Sequence, residues 1–327
     1  MPKNLFMRTP SQIIEDIKSL KIQGARRIAK AAMDAIIWQV RNSKAKTKDE
    51  LQDEIIKLAL ELEKTRPTEP MMRNSLQNAL RFMMSWVRIH QQEDIEKFKE
   101  EFLKYETNFL EEMDQQIEKI AEFGSSLIKN GYRILIHCHS STVIKILQTC
   151  HDQEKYIEVS CLETRPLYQG RLSARELAEY GIKTKLYVDS AMGSIIQKQD
   201  LVLVGADAIT AQGDLINKVG TYSLAQIARL NQIKFYSAAE IYKYNPLTKF
   251  GIDQQIEKRS ELEIWGDGLY TKEKSEPVPI PKNLSIENIA FDLTPASLIN
   301  AYITEEGIIP PQMIFFAAEK KLRGEKI

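Results

Sequence analysis

Apolar residues recur every three to four positions along the first third of the chain, from Ser11 to about Lys129. The pattern runs through SQIIEDIKSLKI, GARRIAKAAMDAIIWQVRN and KDELQDEIIKLALELEKT, breaks at TRPTEP, and resumes in two further charged stretches. This spacing predicts amphipathic helices that each bury one face, the first capped by Ser11. We therefore predict an all-α domain of four or five helices over residues 1–129.

From Gly131 onwards the pattern changes to short apolar, β-branched runs separated by helical segments. The runs occupy 134–137, 156–160, 184–189, 201–205 and 233–238, and the segments between them are STVIKILQTC, ARELAEYG, SAMGSIIQK and TYSLAQIARLNQ. This alternation predicts right-handed βαβ units and a mainly parallel sheet. The expected fold class is α/β, with the N-terminal helical domain followed by a Rossmann-like, doubly wound domain over residues 130–327.

The C-terminal part is less regular, with a proline cluster, EPVPIPKN, at 276–283. Two further candidate strands follow in IENIAFDLT and LINAYITEEG. They could extend the sheet, or the apolar seam AFDLTPASLINAYI could join copies of the chain. A core within one chain would use that seam equally well.

Composition narrows the class of partner. The 327 residues are 43% hydrophobic and carry 45 basic and 45 acidic side chains, so the core is sizeable and no bulk charge attracts nucleic acid or a membrane. The three cysteines form no CxxC pair, and no apolar run approaches the ~18 residues of a membrane span. The first ten residues, MPKNLFMRTP, contain no long apolar core followed by a small-residue cleavage site. We expect a cytoplasmic protein with no metal, no cofactor, no nucleic-acid partner and no membrane partner.

The stretch VLVGADAITAQGDLINKVGT, residues 202–221, has the layout of a binding site. A buried strand runs into Gly-Ala-Asp, and Asn217 and Lys218 precede a helix start. A carboxylate at the end of a strand, beside an amide and an ammonium, suits an anionic ligand. Asp207 is thus a candidate acid or base, and Asn217 and Lys218 are candidate phosphate ligands. The other interpretation makes Asp207 a helix cap and Lys218 a surface cation.

A second candidate group is Cys138, which follows the strand ILIH and precedes Ser140 and Ser141, either of which can cap the next helix. The positive end of a helix lowers the pKa of a thiol, which favours a reactive thiolate. A buried structural cysteine is the alternative.

Further polar residues are candidates for substrate contacts. Arg165 and Gln169 lie in a loop that follows a predicted strand, where a guanidinium and an amide suit a phosphate or a sugar hydroxyl. In the helical domain, Gly24, Ala25 and Arg26 open a helix. Arg66 and Arg73 lie around the break at TRPTEP. Surface or packing roles would also account for each of these side chains singly.

Several motifs together resemble a known family. They are HCHSS, ETRPLYQGRLSARELAEYGI, VGADAITAQGDLINKVGTYSLA, the AAE after the next strand, and FDLTP followed by ITEEGIIPP. In this order they resemble the sugar-phosphate isomerases related to the regulatory subunits of the translation-initiation guanine-nucleotide exchange factor. The resemblance covers nearly the whole chain and is greatest to the archaeal ribose-1,5-bisphosphate isomerases. The chain has Gln23 where these isomerases typically have an arginine before Gly-Ala.

The resemblance implies an enzyme with two catalytic residues, Cys138 in HCHSS and Asp207 in GADAI. The implied reaction is an aldose–ketose isomerisation of ribose 1,5-bisphosphate to ribulose 1,5-bisphosphate, within the breakdown of nucleotides such as AMP. The implied partner is thus a phosphorylated sugar. The resemblance also implies a homo-oligomer, a dimer or a trimer of dimers. Two alternatives stay open at this point. The chain could act on methylthioribose 1-phosphate, or it could be a non-catalytic subunit of an exchange-factor-like assembly that senses a sugar phosphate or nucleotide.

Overall fold

The computed structural model describes residues 8–254, 256–266 and 279–323, so the first three residues of the predicted proline cluster lie outside the described ranges. The described helices are α1 (Pro10–Lys18), α2 (Ala25–Asn42), α3 (Lys48–Thr65), α4 (Pro70–Ile89), α5 (Ile95–Leu127), α6 (Ser141–Asp152), α7 (Gln169–Glu179), α8 (Met192–Ile195), α9 (Thr221–Leu230), α10 (Leu262–Trp265) and α11 (Ile314–Leu322). The described strands are β1 (Arg133–His137), β2 (Glu158–Leu162), β3 (Lys183–Tyr187), β4 (Leu201–Val204), β5 (Ala208–Ile209), β6 (Leu215–Lys218), β7 (Lys234–Ala238), β8 (Phe291–Thr294), β9 (Ala301–Thr304) and β10 (Gly307–Ile309).

The N-terminal region is helical, as its apolar spacing predicted. Helices α1 to α5 enclose one apolar core, and α1 and α3 each start with a capping box, in which Thr9 pairs with Gln12 and Thr47 with Glu50. The predicted cap at Ser11 is therefore wrong, because the helix begins two residues earlier. None of the described helices is both long and apolar enough to cross a bilayer.

The change from helices to strands falls between Leu127 and Arg133. The core does not stop there, since Tyr242 from the sheet region packs into the helical core, with its ring 5.4 Å from that of Phe109. The division into two domains at residues 129 and 130 stays a prediction.

A seven-stranded sheet forms the centre of the second region, in the order β10-β9-β7-β4-β1-β2-β3. All neighbouring pairs are parallel except β9 with the edge strand β10. Side chains of α6 and α7 pack on one face and those of α9 and α11 on the other. The predicted doubly wound α/β fold is thus confirmed.

The direction of winding reverses between β1 and β4. From β1 the chain proceeds outward through β2 and β3, and from β4 it proceeds the other way through β7 and β9. His137, the last residue of β1, lies opposite Val204, the last residue of β4. Ligands of open α/β sheets bind at the carboxyl ends of the two strands that flank such a reversal.

The structure changes two sequence-based expectations, one for the stretch after β4 and one for the apolar seam near the C-terminus. The stretch after β4 is not only a loop, because β5 and β6 form a small antiparallel sheet with β8. Much of the seam AFDLTPASLINAYI is buried within the chain, as at Phe291, Ile299 and Tyr302. That seam therefore belongs to the core of one chain, and a homo-oligomer stays a prediction.

Candidate active site

A cavity of about 330 Å³ opens at the carboxyl ends of β1 and β4. Its wall combines the residues after β1, the residues after β4, the end of β6 and the start of α2. It contains eight of the ten residues predicted for the site, namely Gly24, Ala25, Arg26, Cys138, Gln169, Asp207, Asn217 and Lys218. Strand order explains the convergence, because adjacent parallel strands end at the same edge of the sheet.

Cys138 has a left-handed backbone, with φ at 69°. Such a conformation is uncommon outside glycine and is often found at functional sites. Its amide donates a 2.9 Å hydrogen bond to Oγ1 of Thr164, and its carbonyl accepts a 3.1 Å hydrogen bond from Oγ of Ser173. The thiol is thereby fixed between β1 and α6, next to Ser140, whose Oγ caps α6.

The acidity of this thiol differs from the sequence-based prediction. Burial raises the pKa of Cys138 to about 11, the charge of Asp207 adds to the increase, and Lys218 opposes it. The predicted effect of the helix end does not overcome the loss of hydration around the sulfur. Without a bound ligand, burial therefore favours the thiol over the thiolate.

Asp207 enters the cavity through a close approach of two loops. A Cβ added to Gly205 would lie 2.7 Å from Cβ of Ser140, so only glycine lets the chain after β4 pass that close to the cap of α6. The amide of Asp207 then donates 2.9 Å to the carbonyl of Ile216. Burial raises the pKa of its carboxyl, and Lys218 is the strongest opposing charge.

Asn217 and Lys218 lie on β6 rather than in a loop before a helix, and both are buried. The amide nitrogen of Asn217 donates 3.0 Å to Oγ1 of Thr221, the first residue of α9. Nζ of Lys218 lies 4.6 Å from the centre of the Phe291 ring, and no ion pair is found for it among the described residues. A buried ammonium held over an aromatic face is ready to receive an anion.

The start of α2 and the start of α7 complete the wall. Gly24 precedes α2 with φ at 87°, which brings Ala25 to the cavity. Arg26 donates 3.1 Å to Oε1 of Glu240 and 2.7 Å to Oδ1 of Asp114, so it joins the helical region to the segment after β7. Oε1 of Gln169 is buried and lacks a hydrogen bond among the described residues.

Two predicted residues do not reach the cavity. Arg73 is buried between α3, α4 and the segment after β7, where it donates to Glu63 at 2.8 Å and to the carbonyl of Pro67 at 2.7 Å. Arg165 donates 2.9 Å to the hydroxyl of Tyr168 within its own loop. Both side chains stabilise the loops around them, because a guanidinium group donates hydrogen bonds to carbonyls and hydroxyls as readily as to phosphates.

The cavity also contains charged residues that were not predicted to bind substrate: Lys21, Glu69, Lys243 and Arg259. Arg66, a candidate for a substrate contact from the sequence, lines it as well, as does Arg27, the neighbour of Arg26 in the first turn of α2. Arg259 belongs to a charged stretch, IEKRSEL, that has no strand or helix periodicity to give its direction. Contacts far apart in the sequence bring these side chains to the site, and local patterns do not reveal them.

The charge of the lining is strongly positive, although the whole chain is neutral. Seven lysines and arginines line the cavity against Glu69 and Asp207. Nε and Nη1 of Arg66 are buried without a hydrogen-bond partner among the described residues, whereas Nε of Arg259 lies 3.3 Å from Oε1 of Glu257 in an ion pair. Buried donors without partners are costly, so their presence at a cavity indicates an anionic ligand that satisfies them.

Comparison with known proteins identifies the family. Residues 21–311 match the Initiation factor 2 subunit family. The chain belongs to this family. The ribose 1,5-bisphosphate isomerase of Pyrococcus furiosus is 38% identical over 94% of this chain and 92% of its own length. The methylthioribose-1-phosphate isomerase of Pelotomaculum thermopropionicum is 36% identical over 92% of this chain and 83% of its own length.

A solved structure supports the same grouping. The Pyrococcus horikoshii protein described as translation initiation factor eIF-2B superposes with a TM-score of 0.75 at 30% identity, covering 95% of this chain and 98% of that one. The family predicted from the motifs is therefore confirmed. The curated relatives are isomerases of phosphorylated sugars. The prediction that the chain is an enzyme of the isomerase class is therefore also confirmed.

Proposed function

We propose that the chain converts ribose 1,5-bisphosphate to ribulose 1,5-bisphosphate. One observation carries the proposal: Cys138 and Asp207 follow the two adjacent strands at the reversal of the sheet and share one cavity with seven cationic side chains. A substrate with two phosphate groups matches that excess of positive charge better than a substrate with one. The curated relatives named ribose 1,5-bisphosphate isomerase give the proposal independent support.

The phosphates are assigned to two groups of donors. Lys218, Lys243 and Arg66 are buried at the side of the cavity near Asp207, together with the partly buried Arg259. Arg66 offers two guanidinium nitrogens that have no hydrogen-bond partner among the described residues. At the other side, α2 begins with Arg26 and the exposed Arg27 in its first turn, and the exposed Lys21 precedes it. Asn217 and Gln169 are left for the sugar hydroxyls.

The reaction requires four proton transfers at the sugar. Asp207 donates its proton to the ring oxygen, which opens the ring at C1. Cys138, as a thiolate, then takes the proton from C2 and forms an enol phosphate between C1 and C2. The thiol returns that proton to C1, and the 2-hydroxyl gives its proton to Asp207 as the C2 ketone forms. Both groups regain their starting state, so the cycle balances without an oxidant or reductant.

The raised pKa of Cys138 sets a condition on this sequence. Burial dominates the shift, but ionised Asp207 also raises the pKa of the thiol while Lys218 lowers it. Protonation of Asp207 removes the negative charge that disfavours the thiolate, whereas the positive charge of Lys218, which favours the thiolate, remains. The acid form of Asp207 thus favours the thiolate form of Cys138, and the two states needed for the first steps occur together.

The test is turnover by the purified chain offered ribose 1,5-bisphosphate and methylthioribose 1-phosphate in parallel. We expect ribulose 1,5-bisphosphate from the first substrate. We also expect turnover to fall to background in Cys138→Ser and Asp207→Asn, with circular dichroism spectra unchanged.

Other outcomes would assign other functions. Preference for methylthioribose 1-phosphate would identify a methylthioribose-1-phosphate isomerase. Binding of either sugar phosphate without product would indicate a sensing subunit. Full activity of either variant would remove that residue from the mechanism. A role in nucleotide breakdown stays a prediction.

A further inference from the structure

Glu240 is a carboxylate that joins two cations of the cavity wall. It follows β7 and is fully buried. Its Oε1 accepts a 3.1 Å hydrogen bond from Nη1 of Arg26, and its Oε2 lies 3.1 Å from Nζ of Lys243 in an ion pair. Arg26 and Lys243 both line the cavity, whereas Glu240 does not. One buried anion thus contacts a cation from each of the two groups assigned to the phosphates.

The backbone around Lys243 is held by other contacts. Nδ2 of Asn74, on α4, donates hydrogen bonds to the carbonyls of Tyr242 and Tyr244 at 2.8 and 2.7 Å. The path of the chain on both sides of Lys243 is therefore fixed without the side chain of Glu240. What the carboxylate adds is the placement of the charged ends of two long side chains.

The charge state of Glu240 suits that role. Burial by itself raises the pKa of this carboxyl, but the charges of Lys243 and Arg26 outweigh burial and lower the pKa below its ordinary value. The group is therefore an anion at neutral pH. Hydrogen bonds between ionised groups are short and strong, so a carboxylate that contacts both cations restrains both of them.

We propose that Glu240 is a positioning residue, which holds Arg26 and Lys243 at the separation with which they receive the phosphates of the substrate. The inference rests on the proposed function for the identity of that substrate. Glu240 does not contact the sugar and exchanges no proton with it. Its effect is on binding, because flexible side chains that are already in place lose less conformational freedom when the anion arrives.

Asp114 provides a matched comparison. It also pairs with Arg26, at 2.7 Å, but its other partner is Lys30, at 2.8 Å, which does not line the cavity. The side chain of Asp114 is 60% exposed. Asp114 thus contacts the same arginine as Glu240 without joining it to a second cation of the site, so Asp114→Asn is the control for Glu240→Gln.

Calorimetric titration of the full chain tests this role. The Cys138→Ser background is the parent, because conversion of the substrate during a titration would obscure its Kd. The two probes are ribose 1,5-bisphosphate and inorganic pyrophosphate, which carries two phosphates without a sugar. In Glu240→Gln, which keeps an acceptor but not the charge, we expect the Kd of both probes to rise by about 10- to 100-fold. Asp114→Asn should stay within about twofold of the parent.

The sign of the change separates positioning from bulk electrostatics. Removal of a negative charge beside the cavity leaves the site more positive, so charge alone predicts tighter binding of an anion in Glu240→Gln. A Kd that is unchanged or lower overturns the proposal. Glu240→Asp keeps the charge but is one methylene shorter and cannot reach both cations, so its Kd should lie between those of the parent and Glu240→Gln. Glu240→Asp carries the test if loss of the charge prevents folding.

A double-mutant cycle excludes a merely structural role. Arg26→Gln should itself raise the Kd, and because Glu240 acts in part through Arg26, the increase in the double variant should be smaller than the product of the two single increases. Increases that multiply fully would mean that Glu240 acts independently of Arg26, and would overturn the proposal.

Turnover separates this inference from the proposed function. Weaker binding of pyrophosphate in Glu240→Gln, without turnover of ribose 1,5-bisphosphate by the wild type, would retain the role of Glu240 and reject the isomerase. Turnover by the wild type with an unchanged Kd in Glu240→Gln would do the reverse. Failure of the parent to bind either probe would overturn the inference as well.

Discussion

The amide of Cys138 donates a 2.9 Å hydrogen bond to Oγ1 of Thr164, and both residues have left-handed backbones, with φ at 69° and 64°. Thr164 is fully buried, and its own amide donates 2.8 Å to Oδ1 of Asp189. A β-branched residue in this conformation is strained, and surrounding contacts must maintain it. The loop after β2 therefore fixes the backbone of the residue after β1.

We expect Thr164→Val to reduce kcat by about 10- to 100-fold with little change in KM. Valine has a similar shape but leaves the amide of Cys138 without an acceptor, which costs on the order of 1–3 kcal/mol at the reacting group. Thr164→Ser keeps the acceptor and should retain most of the activity. Steady-state kinetics of the two variants provide the measurement. Equal kcat values for Thr164→Val and the wild type would show that the position of Cys138 does not depend on its hydrogen bond to Thr164.

A mainly parallel sheet with the two catalytic candidates at the ends of its strands was predictable from the sequence, but the strand order was not. Short apolar runs separated by helical segments indicated parallel strands, and parallel strands align their carboxyl ends. Cys138 and Asp207 each come directly after such a run, so their meeting follows from the topology alone. The family resemblance added their proposed roles and the substrate class.

The remaining part of the site depends on contacts that no local pattern records. Arg73 and Arg259 are both arginines without a local signal for their direction, yet of the two Arg259 lines the cavity. The pKa of Cys138 was predicted with the wrong sign because helix-end effects are local, whereas burial depends on the whole fold. Asn217 and Lys218 line the cavity but lie in a different element from the predicted one, since β6 forms through its pairing with β5 and with the distant strand β8.

Gly205→Ala should impair activity more than stability. The added Cβ would lie 2.7 Å from Cβ of Ser140, closer than such atoms approach, so the loops that position Asp207 and Cys138 must separate. A displacement of about 1 Å at reacting groups lowers rates by about 100-fold. Ser140→Gly removes the obstructing atoms at a capping cost of a few tenths of a kcal/mol. We expect the double variant to recover much of the lost kcat, and failure to do so would indicate another cause.

Arg259→Gln should raise KM for ribose 1,5-bisphosphate by about 10- to 100-fold, because a charge-assisted hydrogen bond contributes about 1.5–3 kcal/mol. Arg259→Lys keeps the charge but not the fork, so its KM should lie between the two. Arg229→Gln is the matched control, since Arg229 is an exposed arginine at the end of α9 that does not line the active cavity. An equal increase in KM for the glutamine variants at both positions would indicate general charge attraction instead of a phosphate contact.

Glu106 should make the stability of the folded chain depend on pH. It lies on α5 between Phe102 and Phe109, is fully buried, and neither carboxyl oxygen has a hydrogen-bond partner among the described residues. Burial raises its pKa from 4.5 to about 8. The folded state therefore holds this proton more tightly than the unfolded state.

The sign of the effect follows from that order of pKa values. The contribution of Glu106 to stability is most favourable below about pH 4.5 and declines as the pH rises towards 8, with a slope of at most about 1.4 kcal/mol per pH unit. Glu106→Gln cannot ionise, so urea unfolding at pH 5, 6, 7 and 8 should show a free-energy difference from wild type that shifts in favour of the variant at each step. The amide brings donors that also lack partners, which adds a constant offset, and Glu106→Leu checks the slope without them. Parallel stability curves for wild type and both variants would mean that Glu106 is ionised in the folded chain and satisfied by a partner.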